Sequence, residues 1–169
     1  MKKILVVYYS FSNGNTKRIA EQLQSALGAD IARIETVVPY PPYTGADCEV
    51  VRQGQEEVKR GFCPGIKPLP VDVNDYDVVA IGTPTWWYKM APAVLTFVKS
   101  QNWTGKTVVP FMTNGGWTGQ VIRDIKKFCA GAEFAPSMEV KFDSNGGANL
   151  ETSQAEIDAW IDSVKKAIA

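Results

Sequence analysis

Apolar positions along the chain switch repeatedly between two periods. The runs KILVVYY (3–9), VVAIGT (78–83) and TVVPFMT (107–113) are short, nearly continuous and rich in Val and Ile, as expected of parallel strands covered on both faces. IARIETV (31–37) is more mixed and SMEVKF (137–142) alternates, so both read as edge strands. Helical spacing fills the intervals. Ile19, Leu23, Ala26 and Leu27 are stopped by Gly28; Val94, Leu95, Phe97 and Val98 follow Pro92; Val121, Ile125 and Phe128 end near Gly131. The last helix carries Ile157, Trp160, Ile161, Val164 and Ile168 behind the capping-box sequence SQAE at 153–156. Strand and helix alternate five times, which predicts an α/β fold with a doubly wound, five-stranded parallel sheet in three layers.

The segment 38–75 breaks the alternation. It stands where one crossover helix is expected and carries most of the prolines. It reads as an extended Pro/Tyr stretch, a polar helix from about Asp47 to Arg60 and an extended return, inserted in a single domain spanning 1–169. Whether it is a surface elaboration without chemistry stays open.

Composition narrows the chemistry. With 169 residues, 45% of them apolar, the chain can bury one sizeable core. Eighteen basic residues balance eighteen acidic ones, so net charge recruits neither nucleic acid nor an anionic membrane. There is no histidine, which removes the commonest general base and neutral metal ligand and points catalysis toward a cofactor. Cys48, Cys63 and Cys129 are odd in number and widely spaced, and read as reduced cytosolic thiols with no metal site. The opening MKKILVVYYSF meets SNGNTKR in place of a small-residue cleavage site, so it reads as a first strand of a cytoplasmic protein and not as a signal peptide.

Residues 10–16 follow the first strand and open the first helix. In a doubly wound sheet ligands bind beyond the carboxyl ends of the strands, where a helix N-terminus presents unpaired N–H groups. Ser10, Ser12 and Thr16 offer hydroxyls, Gly14 lets the backbone fold close and Asn13 tolerates unusual dihedrals, a composition suited to wrapping an oxyanion. It is neither a Walker loop nor a dinucleotide fingerprint. Two further strand-end loops, GTPTWWYKMAP (82–92) and TNGGWTG (113–119), are rich in Trp, Tyr, Thr and Gly. They suit a flat aromatic heterocycle, with Trp86, Trp87, Tyr88 and Trp117 as stacking candidates.

These loops carry a resemblance. Ser-x-Ser-x-Gly-Asn-Thr at 10–16 resembles the phosphate loop of the flavodoxin family, GTPTWWY resembles its first isoalloxazine loop, and TNGGWTG falls where the second belongs. The similarity covers nearly the whole chain outside 38–75. It implies strand order 2-1-3-4-5 and an FMN cofactor. Ser10, Ser12, Asn13, Gly14, Asn15 and Thr16 would hold the phosphate. Thr83, Pro84, Thr85, Trp86, Trp87 and Tyr88, with Thr113, Asn114, Gly115, Gly116 and Trp117, would hold the ring. The implied function is electron transfer with a redox partner protein. The alternative is an FMN-dependent reductase that takes hydride from NAD(P)H and passes electrons to quinones or similar acceptors; a third reading is a binding module without cofactor. Family carriers are typically very acidic, and this chain is not, which weakens the case for docking to basic partners. Lys89 is the one charge in 83–92 and 113–119; two placements stay open for it, beside the ring, where it would raise the potential of the second reduction step, or out in solvent.

Overall fold

The computed structural model describes residues 1–144 and 147–169. Its central strands are β1 (Ile4–Tyr8), β3 (Val78–Trp86) and β5 (Thr107–Asn114), flanked on one side by β2 (Asp30–Arg33). β1 pairs parallel to β2 and to β3, and β3 parallel to β5. The apolar runs are continuous because alternate residues enter two different cores. Leu5, Val7, Val79, Ile81, Val108 and Met112 face one side of the sheet, whereas Val6, Tyr8, Val78, Ala80, Val109 and Phe111 face the other.

Helices cover both sides. α1 (Asn15–Leu27) and α5 (Gln154–Ile168) contribute Ile19, Leu23, Ile157 and Trp160 to the second core. α3 (Pro92–Ser100) and α4 (Val121–Phe128) contribute Val94, Phe97, Val121 and Ile125 to the first. The layered α/β architecture is therefore the one expected, but the described residues form seven strands where five were expected, with β2-β1-β3-β5 as the central order.

Two local features account for the extra strands. The short β4 (Lys89–Met90) folds back antiparallel on the end of β3. The outer edge strand is split: β6 (Glu133–Phe134) pairs with the start of β5, and β7 (Met138–Lys141) with its end. Even-numbered residues of β5 face that edge, where Val108 C=O accepts from Ala135 N–H at 3.0 Å and Asn114 C=O from Phe142 N–H at 2.8 Å. Pro110 shares this parity and has no N–H to give. It sits opposite the break, where a ladder partner would have been left unsatisfied.

The segment 38–75 forms α2 (Glu49–Arg60), an antiparallel return in which Lys67 N–H reaches Glu35 C=O at 2.8 Å, and a 3₁₀ turn at Val73–Asp75. α2 packs on β3 and α3, so the segment lies over the carboxyl end of the sheet. No helix among the described residues is long and apolar enough to cross a membrane.

The capping box at α5 is formed on both sides. The Ser153 hydroxyl accepts from Glu156 N–H at 3.2 Å, and the Glu156 carboxylate accepts from Ser153 N–H at 3.1 Å. Hydrogen bonds from the Ser153 side chain and backbone hold the Glu156 carboxyl below its ordinary value of 4.5. A lowered folded-state value makes its stabilisation present at neutral pH and lost as pH falls through that value. In urea unfolding, Ser153→Ala should cost about 1 kcal/mol at pH 7. The difference between wild type and Glu156→Gln should be present at pH 7 and fade in acid; a difference that grows on acidification contradicts the assignment.

Candidate functional site

β1 delivers the chain to the carboxyl edge, and residues 10–14 turn into α1. Ser12 (φ 52°) and Gly14 (φ 71°) both take left-handed backbone, and Gly14 caps the helix. Left-handed residues in such a turn curl successive N–H groups toward one concave side, and the N–H groups of Asn15 and Thr16 lie in a first turn that cannot pair them internally. Around this concavity the side chains are braced. The buried Ser10 accepts from Lys17 N–H on its Oγ at 3.3 Å, and its C=O accepts from the Arg33 guanidinium at 3.1 Å. The Thr16 and Thr113 hydroxyls share a 2.8 Å hydrogen bond, tying the first loop to the end of β5. Asn15 Nδ2 donates to Gly147 C=O at 3.0 Å, tying it to the loop after β7.

The aromatic wall comes from the β3–β4 hairpin. Trp86 pairs with Lys89, leaving Trp87 (φ 47°) and Tyr88 (φ 64°) as a two-residue turn. Positive φ at both corners is the type I′ geometry that Asn-Gly normally supplies; a bulky side chain there costs about 1–2 kcal/mol per residue. The turn is clamped by Gln120 N–H, which donates to Tyr88 C=O at 2.9 Å. Gly119 must be a glycine, since a Cβ on it would overlap the Tyr88 backbone.

Trp86 is the centre of an edge-to-face cluster, 6.1 Å from Tyr9, 5.7 Å from Phe11, 5.1 Å from Tyr40 and 6.4 Å from Trp87 between ring centroids. α2 closes on it from outside. A Cβ on Gly54 would stand 2.8 Å from Trp87 Cζ3 and 3.1 Å from Trp86 Cε3. The Tyr40 hydroxyl donates to the buried Glu57 carboxylate at 2.6 Å, and Gln53 Nε2 donates to its other oxygen at 2.9 Å. Burial, then the Glu57 hydrogen bond, push the Tyr40 phenol far above its usual range. Burial does the same to Tyr9, partly offset by the Arg33 charge. Both phenols remain protonated at working pH, and Tyr40 remains a donor.

Between these parts lies a cleft of about 600 Å³ bounded by Ser12, Thr85, Trp86, Trp87, Trp117 and Ser144, with Phe11, Tyr43, Ala46, Val50 and Val51 completing it. A smaller hollow of about 230 Å³ is lined by Thr85, Trp87, Tyr88, Gly115 and Trp117 and shares Thr85, Trp87 and Trp117 with it.

The structure thus brings Ser12, Thr85, Trp86, Trp87, Tyr88, Gly115 and Trp117 to one cleft system, with Ser10, Asn13, Gly14, Asn15 and Thr16 forming the turn beside it. Other anticipated residues act behind the wall. The Thr83 hydroxyl donates to Pro84 C=O at 2.8 Å and accepts from Ala91 N–H at 3.0 Å ahead of α3. Asn114 shapes its loop, accepting from Gly116 N–H at 2.7 Å and donating to Val140 C=O at 3.1 Å; Thr113 is engaged with Thr16.

Of the two placements open for Lys89, the one beside the ring is ruled out. Its Nζ lies 3.1 Å from Gln120 Oε1 and 3.3 Å from Asp124 Oδ2 on α4, where it lines a separate cavity of about 160 Å³. The cation is paired and aimed away from the cleft. Sequence reasoning missed Phe11, Tyr43, Ala46, Val50, Val51 and Ser144. For Ser144 a signal existed, since the chain leaves the last strand there at the same carboxyl edge.

Comparison with known proteins adds a family. The profile of the flavodoxin family matches residues 3–164. The crystal structure of a candidate flavoprotein from Bacteroides eggerthii is 32% identical, with 98% of this chain and 99% of that one covered and a TM-score of 0.75. One from Bacteroides uniformis is 24% identical, with 95% and 98% covered and a TM-score of 0.75. The flavoprotein of Lactobacillus acidophilus, solved in complex with FMN, is 21% identical with 95% and 99% covered and a TM-score of 0.66, a likeness of fold.

The Gly54 contact can be tested directly. In a free helix Gly→Ala gains about 1 kcal/mol; here the methyl meets two indoles, and overpacking of that kind costs about 1–3 kcal/mol. Gly54→Ala should therefore destabilise the protein in urea unfolding and shift tryptophan emission. A stabilised variant would show that α2 does not press on the tryptophans.

Proposed function

The chain belongs to the flavodoxin family, and from that premise we propose that it binds FMN and serves in electron transfer. The observation that carries this reading is the convergence, at one sheet edge, of a hydroxyl- and amide-lined turn at a helix N-terminus with a tryptophan-walled cleft. The donor set fits the two ends of the cofactor. Ser12, together with the backbone N–H groups at the start of α1, suits a phosphate without needing a lysine; the Trp86, Trp87 and Trp117 rings suit a planar heterocycle.

FMN supplies the redox chemistry that a chain without histidine or a metal cluster among its described residues does not provide from its own side chains. The protein's part is placement. Ser10 and Thr16 brace the cradle from behind, Thr85 and Gly115 would offer backbone to the ring, and the aromatic cluster would shield it from water. Because no lining residue of the cleft among those described is acidic or basic, a second reading has support: electrons pass to a small uncharged acceptor, with NAD(P)H as donor, and not to a docked basic protein.

FMN should bind far more tightly than riboflavin, since riboflavin lacks the anion that the cradle receives. Ser12→Ala should weaken FMN by about 1–3 kcal/mol, the scale of a hydrogen bond to a charged group, and leave riboflavin nearly unchanged. Superimposable titration curves for FMN and riboflavin sink the cradle assignment. Bound FMN should be nearly dark beside the tryptophans, and Trp86→Ala should brighten it. Bleaching of the visible spectrum by NADPH alone favours the small-acceptor reading; bleaching only with an added reductase favours the carrier.

A further inference from the structure

The cleft extends past the three strand-end loops. Tyr43 and Ala46 precede α2 and Val51 lies on it, so the outer wall of the cavity is supplied by the segment that interrupts the alternation of strands and helices. Tyr43 and Trp117 are 47% and 55% exposed at the mouth, and behind them every described lining side chain is apolar, aromatic or hydroxyl-bearing. A charged guest entering this space would lose hydration with no counter-charge to replace it. A flat uncharged guest would exchange water for indole and phenol faces. The wall is also held at a set distance. The helix carrying Val51 approaches the tryptophans through Gly54, and its buried Glu57 accepts from Tyr40, whose ring packs on Trp86. Trp87, fixed in left-handed backbone, lines both the cleft and the smaller hollow, as do Thr85 and Trp117.

We propose that Tyr43, Ala46 and Val51, facing Trp87 and Trp117, form a binding compartment for a neutral planar aromatic molecule beside the cofactor ring, and that the inserted segment exists to select it. The compartment rests on the reading that FMN occupies the cradle and the strand-end loops, and it gives that reading a class of small-molecule partner.

The test uses two probes with one ring system, 1,4-naphthoquinone and its 2-sulfonate, titrated by calorimetry into the oxidised FMN-loaded protein. The neutral probe should bind about tenfold or more tightly than the sulfonate, because only the latter buries an uncompensated charge. Val51→Asp, and separately the exposed Ala46→Asp, should each weaken the neutral probe by a similar factor. FMN affinity, measured by flavin fluorescence, should fall by a smaller factor than neutral-probe affinity, because both residues line the cleft's outer wall and neither belongs to the cradle or the strand-end loops. Equal binding of the two probes overturns the proposal, as does neutral-probe affinity unchanged in both variants. So does a parallel loss of FMN affinity in both variants, which would assign this wall to the cofactor alone. If the wild type takes up no FMN, the cofactor reading fails by itself; the same titrations without FMN then decide whether the compartment exists.

Discussion

Everything at the cleft follows from a sheet that must be buried on both faces. Parallel strands cannot be joined by tight hairpins, and each crossover has to cover one face or the other with a helix. The two cores, one beneath α1 and α5 and one beneath α3 and α4, fix the connections so that the chain leaves β1, β3, β5 and β7 at the same edge. The loops that meet there are sequence-distant: Thr16 touches Thr113, and Asn15 touches Gly147. Their proximity is a consequence of strand direction and order, and the loop residues themselves need supply only the local chemistry. That division explains why the hydroxyls of Ser10, Thr16, Thr83 and Thr113 are spent on bracing, leaving Ser12 and backbone groups to face outward.

A second level of organisation rests on Trp86. Its indole contacts rings from Tyr9 just past β1, from the 10–14 turn, from the segment before α2 and from its own hairpin. An aromatic residue with four edge-to-face neighbours cannot shift without disturbing all of them, since interiors are packed closely enough to transmit displacement. α2 is coupled to this point by one apolar and one polar contact: the absent Cβ of Gly54 and the Glu57 carboxylate. A buried carboxylate is costly unless its oxygens are satisfied. The donors from Tyr40 and Gln53 satisfy both of its oxygens, and Tyr40 in turn packs its ring on Trp86.

The sequence disclosed what is local and periodic. The strands at 4–8 and 107–114, the helix ends at Gly28 and Ser153, and the Ser/Asn/Gly-rich turn sit where residue spacing and capping chemistry put them, whereas β3 runs on from the 78–83 run to Trp86, through residues read as loop. β4 was illegible because its turn is Trp-Tyr, which reads as aromatic wall and not as a corner. The split edge strand had two written signs, Pro110 and Pro136, but their meaning depends on which side of β5 the missing donor faces, and that is a matter of register. Lys89 was left open for a similar reason: sequence position put it in the loop, whereas the hairpin and Asp124 on α4 decide where its side chain goes. Nothing in the composition of 38–75 marked Gly54 and Glu57 as the contact points of α2.

The Trp87–Tyr88 turn shows where stability has been given up. An Asn-Gly pair would form the same hairpin without the left-handed penalty, so the penalty is retained for what the side chains do. Trp87 lines both the cleft and the smaller hollow, and Tyr88 lines the hollow and stands half exposed. The surroundings over-determine the strained conformation: β4 pairs with β3 on one side, Gly119 and Gln120 clamp the Tyr88 backbone on another, and Gly54 admits the Trp87 ring on a third. Three independent constraints on two residues imply a wall kept rigid, not one that opens. A rigid wall selects by shape and polarity, because a guest cannot induce a better fit than the one already built.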